Sequence, residues 1–124
     1  MASNPPSEKF AQGAAKFEEV IGFAPPERGP DFLKLTVEGL FADCWARPGL
    51  ARRDRSLMTL SITIALRHWE EFALHVRAAK NNGLTDEEIG EVIQHAAIYA
   101  GVPAANHAFK VAAPILEELR GTSA

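Results

Sequence analysis

Cysteine is almost missing from this chain of 124 residues. Cys44 stands alone, so no internal disulfide, C-x-x-C redox pair or cysteine-rich zinc site can be assembled. A reducing cytoplasm is the expected location. Strong charge is missing too: the formal net charge is -3 with four histidines counted neutral. That weak acidity gives no electrostatic case for nucleic acid or an anionic membrane as a partner. Arg52, Arg53 and Arg55 bunch together, but Asp54 interrupts them and they form no nucleic-acid stripe. No apolar run approaches the roughly 18 residues of a membrane span. The start, M-A-S-N-P-P-S-E-K, lacks a basic region followed by an apolar run, so no signal peptide is expected. G-x-G-x-x-G, Walker-type loops and the G-x-S-x-G elbow do not occur, which leaves nucleotide cofactors and serine-hydrolase chemistry without support.

What remains is an ordinary soluble composition, 47% apolar and 23% charged, of a length that fits one domain. The pattern is helical throughout. Residues 1–6 read as a frayed tail. A first helix is expected from Ser7 to Gly22, with Phe10, Ala14, Phe17 and Ile21 at helical spacing. A-P-P-E-R-G-P breaks the chain at residues 24–30. A second helix follows from Asp31 to Ala46, with Phe32, Leu35, Leu40, Phe41 and Trp45 as its apolar set, and R-P-G-L then makes a turn.

The third segment, from Arg53, reads R-D-R-S-L-M-T-L-S-I-T-I-A-L-R. Its β-branched residues suit a strand, but its length and lack of internal glycine favour a helix. From Leu57 to Leu66 it carries no charge on any face. A helix of that kind is buried all round. A chain this small has little room for one, so a subunit interface is inferred.

The fourth helix is expected from Glu70 to Asn81, with Gly83 beyond its end. Thr85 and Glu88 in T-D-E-E form a capping box for the fifth, which runs to Ala100 and stops at Gly101. The sixth begins with Pro103 in its first turn and reaches Arg120, with Pro114 expected to kink or break it. Residues 121–124 read as a second tail. The architecture is an all-α bundle of six helices.

One stretch is dense in reactive groups: E-E-F-A-L-H-V-R-A-A-K-N-N, Glu70 to Asn82. Glu71 and His75 are four apart and share a helix face. Arg67 joins them if the helix begins early. A carboxylate beside a histidine fixes its tautomer and raises its pKa, which suits a general acid or base near neutrality. The same spacing also describes a common solvated pair. His95 and Tyr99 repeat it on the fifth helix, with Glu91 one turn earlier, and fit either a site or a hydrogen bond at an interface. His107 is a surface or core histidine as readily as a ligand, and His68 is placed to cap the fourth helix. No H-x-x-x-H or H-E-x-x-H pair occurs, so no metal site is expected. Arginines at the start of the third helix oppose its dipole. Arg53 and Arg55 therefore either fork onto a substrate carboxylate or pair with Asp54, Asp43 or another subunit's acids.

Three runs carry a resemblance: R-P-G-L-x-x-R-D-R-S-L-x-T, then E-E-F-A-L-H-V-R-A-A-K-N-N-G-L-T-D-E-E-I-G-E-V-I, then I-Y-A-G-V-P-A-A-N-H-A-F. From about Leu40 to Leu116 the chain resembles the carboxymuconolactone decarboxylase family. The resemblance implies the helical fold of the alkylhydroperoxidase-D-like proteins and a homo-oligomer, commonly a hexamer built as a trimer of dimers. It also implies decarboxylation of a small lactone, 4-carboxymuconolactone, without a cofactor, in aromatic-compound catabolism. The peroxidase branch carries a C-x-x-C with a histidine four residues on. Here His75 matches that histidine, Glu71 the second cysteine and His68 the first, so thiol peroxidase activity is not expected and Cys44→Ser should be silent. On this resemblance His75 is the proton donor and Glu71 its orienter. Arg53 or Arg55 anchors substrate carboxylates, His95 and Tyr99 meet the lactone oxygen, and Trp45 with Phe41 forms an apolar wall. The alternative is a family member that binds a small molecule or serves in assembly without catalysis.

Overall fold

The computed structural model describes residues 7–122. The tail expected at 1–6 lies outside them, as do residues 123 and 124. Every element among the described residues is helical. They are α1 (Glu8–Ile21), α2 (Pro30–Lys34) running on into a π-helix (Leu35–Trp45), α3 (Arg52–Leu66), α4 (Trp69–Asn81), α5 (Asp86–Tyr99) and α6 (Val102–Thr122). The chain divides into two compact units, one ending at Ala51 and one beginning at Arg52.

In the first unit, Ser7 caps α1 by accepting a hydrogen bond from Phe10 N at 3.0 Å. Gly22, at φ +101, ends the helix. Phe17, Val20 and Ile21 are buried, and Phe17 lies 4.7 Å from Phe41 between ring centroids. The second expected helix departs from its reading. From Leu35 the backbone widens to i→i+5 bonding, as in Ala46 N to Phe41 O at 2.9 Å. The wider turn buries Val37, Phe41 and Trp45, four residues apart, and turns Phe32, Leu35 and Leu40 outward. Gly13 allows α1 to approach the widened segment, since a Cβ there would sit 2.1 Å from the Val37 carbonyl oxygen.

The second unit has one apolar core. Leu60 and Ile64 come from α3; Phe72, Val76 and Ala79 from α4; Ile89 and Ile93 from α5. An alanine stripe on α6, Ala104, Ala105, Ala108 and Ala112, continues to Ile115. The expected capping box is present: Thr85 Oγ1 accepts from Glu88 N at 3.1 Å, and Glu88 Oε1 accepts from Thr85 N at 2.9 Å. Gly83 and Gly101 take left-handed φ of +96 and +104, as their helix-ending roles require. α6 is unbroken across Pro114, whose missing N–H costs one bond without ending the helix, and it includes Gly121 and Thr122 of the expected second tail. His68 occupies the position before α4, but its side chain makes no cap. The buried side of α3 is lined by Ser56, Leu60, Thr63 and Ile64, while Met58, Ile62 and Leu66 are exposed.

Candidate functional site

α4 forms because its apolar residues fall on one face and its charges suit its ends. Phe72, Val76 and Ala79 face the core; Glu70 and Glu71 sit in the first turn and Lys80 in the last. That registration carries His75 to the edge of the buried face, where it is 8% exposed. Glu71, one turn earlier, keeps its side chain 62% exposed. His75 Nε2 stands 3.8 Å from Glu71 Oε2. At that distance no hydrogen bond forms, and the carboxylate acts on the ring by charge only when the ring is protonated.

The consequence differs from the expectation. Burial lowers the His75 pKa, and Glu71 only partly offsets it. The imidazole therefore rests neutral at neutral pH. The raised pKa expected from spacing alone is overturned, because spacing reveals the carboxylate neighbour but not the loss of water around the ring. The arrangement is a buried neutral imidazole beside a wet carboxylate. It can accept a proton when negative charge arrives nearby, and the carboxylate can connect it to solvent.

Arg67 does not extend this row as part of the helix. α4 begins at Trp69, and Arg67 lies in the preceding turn at φ +59. His107 packs against Trp69 with the rings tilted and their centroids 4.4 Å apart, and Trp69 meets Phe72 edge-on at 5.9 Å.

Arg53 pairs with Glu88, tying the first turn of α3 to the first turn of α5. The guanidinium and the capping bonds hold the Glu88 carboxyl well below its usual range, at about 2. Asp43, one of the partners considered for the arginines, is bound instead by Lys9 at 2.7 Å. Arg55 is half-buried on α3. His95 and Tyr99 stack, with centroids 5.0 Å apart, and both are exposed. They line an open groove of about 320 Å³ with Ser61, Ile62 and Ala65 of α3. His95 also lines an adjoining groove of about 560 Å³ with Leu57, Glu88, Glu91 and Ile98. Neither His75 nor Glu71 lines these grooves, so the structure keeps the two histidine clusters apart. Trp45 is a buried member of the first unit, stacked on Phe41 at 6.2 Å.

Two features escaped the sequence reading. Asn82 Nδ2 donates to Ser56 Oγ at 2.8 Å in a buried pair joining α3 to the end of α4. The N-N-G run signalled a helix end but not which asparagine turns inward. The second is the left-handed Arg67, which no local signal marks because glycine is the usual occupant.

A family model described as the carboxymuconolactone decarboxylase family matches residues 30–114. The chain is 34% identical over 120 residues to a 4-carboxymuconolactone decarboxylase of Acinetobacter baylyi, covering 90% of each chain. It is 37% identical over 111 residues to the nitrosuccinic acid decarboxylase npaB of Metarhizium robertsii, covering 90% of this chain and 77% of that one.

Proposed function

The chain belongs to the carboxymuconolactone decarboxylase family, and on that premise we propose that it is a carboxy-lyase working without a cofactor. Its substrate is a small carboxylic acid whose departing carboxylate sits on a carbon from which the electron pair left behind passes into an electron sink. 4-Carboxymuconolactone is the first candidate, in the breakdown of aromatic compounds, and nitrosuccinate belongs to the same chemical class. In the lactone the conjugated carbonyl takes up the electron pair; in the nitro acid the nitro group does.

The observation that carries this reading is the His75–Glu71 pair, a buried imidazole facing an exposed carboxylate. Loss of carbon dioxide leaves a carbanion delocalised into the acceptor, and one proton must then form a C–H bond. His75 rests neutral, so the anionic substrate draws a proton onto it on binding. The imidazolium, steadied by Glu71, stabilises the developing charge and delivers that proton to carbon. Glu71, open to water, restores it. Arg55 is a candidate for gripping a carboxylate the substrate keeps; Arg53 has Glu88 as a standing competitor. His95 and Tyr99, in their groove, are candidates for the lactone oxygen only if a second copy brings that groove to the pair. Trp45 is kept as a candidate apolar wall.

A homo-oligomer, a hexamer of three dimers, is part of the proposal. The charge-free run of α3 supports it, since Met58, Ile62 and Leu66 of α3 and Ile98 and Tyr99 of α5 are exposed, and Ile62 and Tyr99 line one groove. The test is carbon dioxide release from freshly made 4-carboxymuconolactone, and separately from nitrosuccinate, with no metal or nucleotide added. Turnover of either supports the class. Turnover of neither by a correctly assembled protein would remove the reaction.

A further inference from the structure

Two helix ends in the second unit are built alike and filled differently. After α4, Leu84 N donates to Ala79 O at 2.9 Å and Gly83 N to Lys80 O at 3.2 Å. After α3, His68 N donates to Thr63 O at 2.9 Å and Arg67 N to Ile64 O at 3.1 Å. Both have the paired bonds of a helix closed by a left-handed residue. Glycine takes that conformation without cost; a residue with a Cβ is strained there. Gly22, Gly83 and Gly101 have positive φ, and Arg67 is the one residue other than glycine that does so among the described residues.

No contact among the described residues accounts for the arginine. Arg53, Arg77 and Arg120 are each bound to a carboxylate, of Glu88, Glu118 and Asp86. The Arg67 side chain is exposed and makes no hydrogen bond or ion pair among the described residues. A local rule is broken with no compensating contact among the described residues, a pattern that points to residues kept for a ligand. Arg67 lies four positions before Glu71, which puts their Cα atoms at most about 14 Å apart.

We propose that Arg67 is a substrate-binding residue whose guanidinium forks onto the carboxylate that a dicarboxylate substrate keeps. This rests on the decarboxylase reading above. The retained carboxylate is the fitting partner, because a cation clamped on the departing one would hold the charge that must leave. A guanidinium matches a carboxylate through two parallel hydrogen bonds, which lysine cannot reproduce. The site therefore selects dicarboxylates over acids with a single carboxylate.

The experiment compares wild type with Arg67→Gly and Arg67→Lys as full chains. Succinate and butyrate, alike in length but differing by one carboxylate, serve as binding probes by calorimetry. Wild type should prefer succinate. Arg67→Gly should weaken succinate by about 10- to 100-fold, the loss of a charge-assisted pair, and leave butyrate unchanged. Arg67→Lys should fall between. With 4-carboxymuconolactone, Arg67→Gly should raise KM far more than it lowers kcat. Its thermal midpoint and assembly size should match or exceed those of wild type, since glycine suits the turn. Equal succinate binding in wild type and Arg67→Gly overturns the proposal, as does loss of assembly or folding in that variant. If wild type turns over no substrate but Arg67→Gly alone loses the succinate preference, the reaction falls and the binding role stands. If wild type is active and KM is unmoved in Arg67→Gly, the reverse holds.

Discussion

His75 is held by two opposing effects, and their balance decides its resting state. Burial disfavours the charged ring and Glu71 favours it; burial is the larger. Folding therefore depresses the pKa below the unfolded value of 6.5. The folded chain binds fewer protons than the unfolded chain just below that value. This contribution to stability is complete above pH 6.5 and is lost as pH falls through the folded pKa. Urea midpoints should decline below pH 6.5 in wild type and less steeply in His75→Gln; parallel slopes would exclude the effect. Removing Glu71 removes the negative charge that raises the pKa. Because the imidazolium is the proton donor, activity falls as pH rises through its pKa, so Glu71→Gln should move the alkaline limb of the pH–rate profile to lower pH, and an unmoved limb would separate Glu71 from His75. Arg67 belongs to the same scale. Its left-handed backbone costs roughly 1–2 kcal/mol for a residue with a Cβ, while glycine returns about 0.5–1 kcal/mol to the unfolded chain. Arg67→Gly should therefore be neutral to slightly stabilising.

The π-helix from Leu35 to Trp45 is the element whose form the sequence hid. The apolar set read from the sequence joined Phe32, Leu35 and Leu40 to Phe41 and Trp45 and left out Val37. The wider turn selects Val37, Phe41 and Trp45. Gly13 on α1 faces this segment, and its environment reverses the usual effect of a helical glycine. Gly→Ala inside a helix normally gains about 1 kcal/mol. At Gly13 the added Cβ would meet a backbone oxygen at 2.1 Å, which cannot move aside as a side chain does. Gly13→Ala should destabilise the first unit by about 1–3 kcal/mol, as overpacking does. A raised thermal midpoint would show that α1 and the π-helix can separate freely. The other elements were legible because their signals are local. The capping box at Thr85 and Glu88, the glycines at 83 and 101, and the apolar spacing of α4 each declare a boundary or a face. Pro114 does not break α6, since a proline removes one bond while the packing of Ala112 and Ile115 keeps the helix continuous. Of the candidate site, the Glu71–His75 pairing was legible from spacing. The depressed His75 pKa, the Arg53–Glu88 pair and the strain at Arg67 were not, because each depends on distant packing or backbone torsion.

At the scale of the molecule, α3 is the informative helix. It buries Leu60 and Ile64 in the core and leaves Ile62 at 56% and Leu66 at 59% exposed on a charge-free run. Large apolar patches on a soluble protein mark contact surfaces. Ile62→Glu should convert the assembly to smaller species in sedimentation while far-UV helicity persists, since the residue points away from the core. A wild type that sediments as a monomer at working concentrations would remove the interface. None of the helices among the described residues is long and apolar enough to cross a membrane. The central claim is that the buried imidazole of α4 supplies the proton in a decarboxylation, and one comparison tests it most directly. Carbon dioxide release from 4-carboxymuconolactone should be followed for wild type and His75→Gln at equal concentration, with matched assembly size. The account predicts turnover by wild type without added metal or nucleotide, and a loss of roughly 10²- to 10⁴-fold in the variant. Full activity in an intact His75→Gln assembly would contradict it.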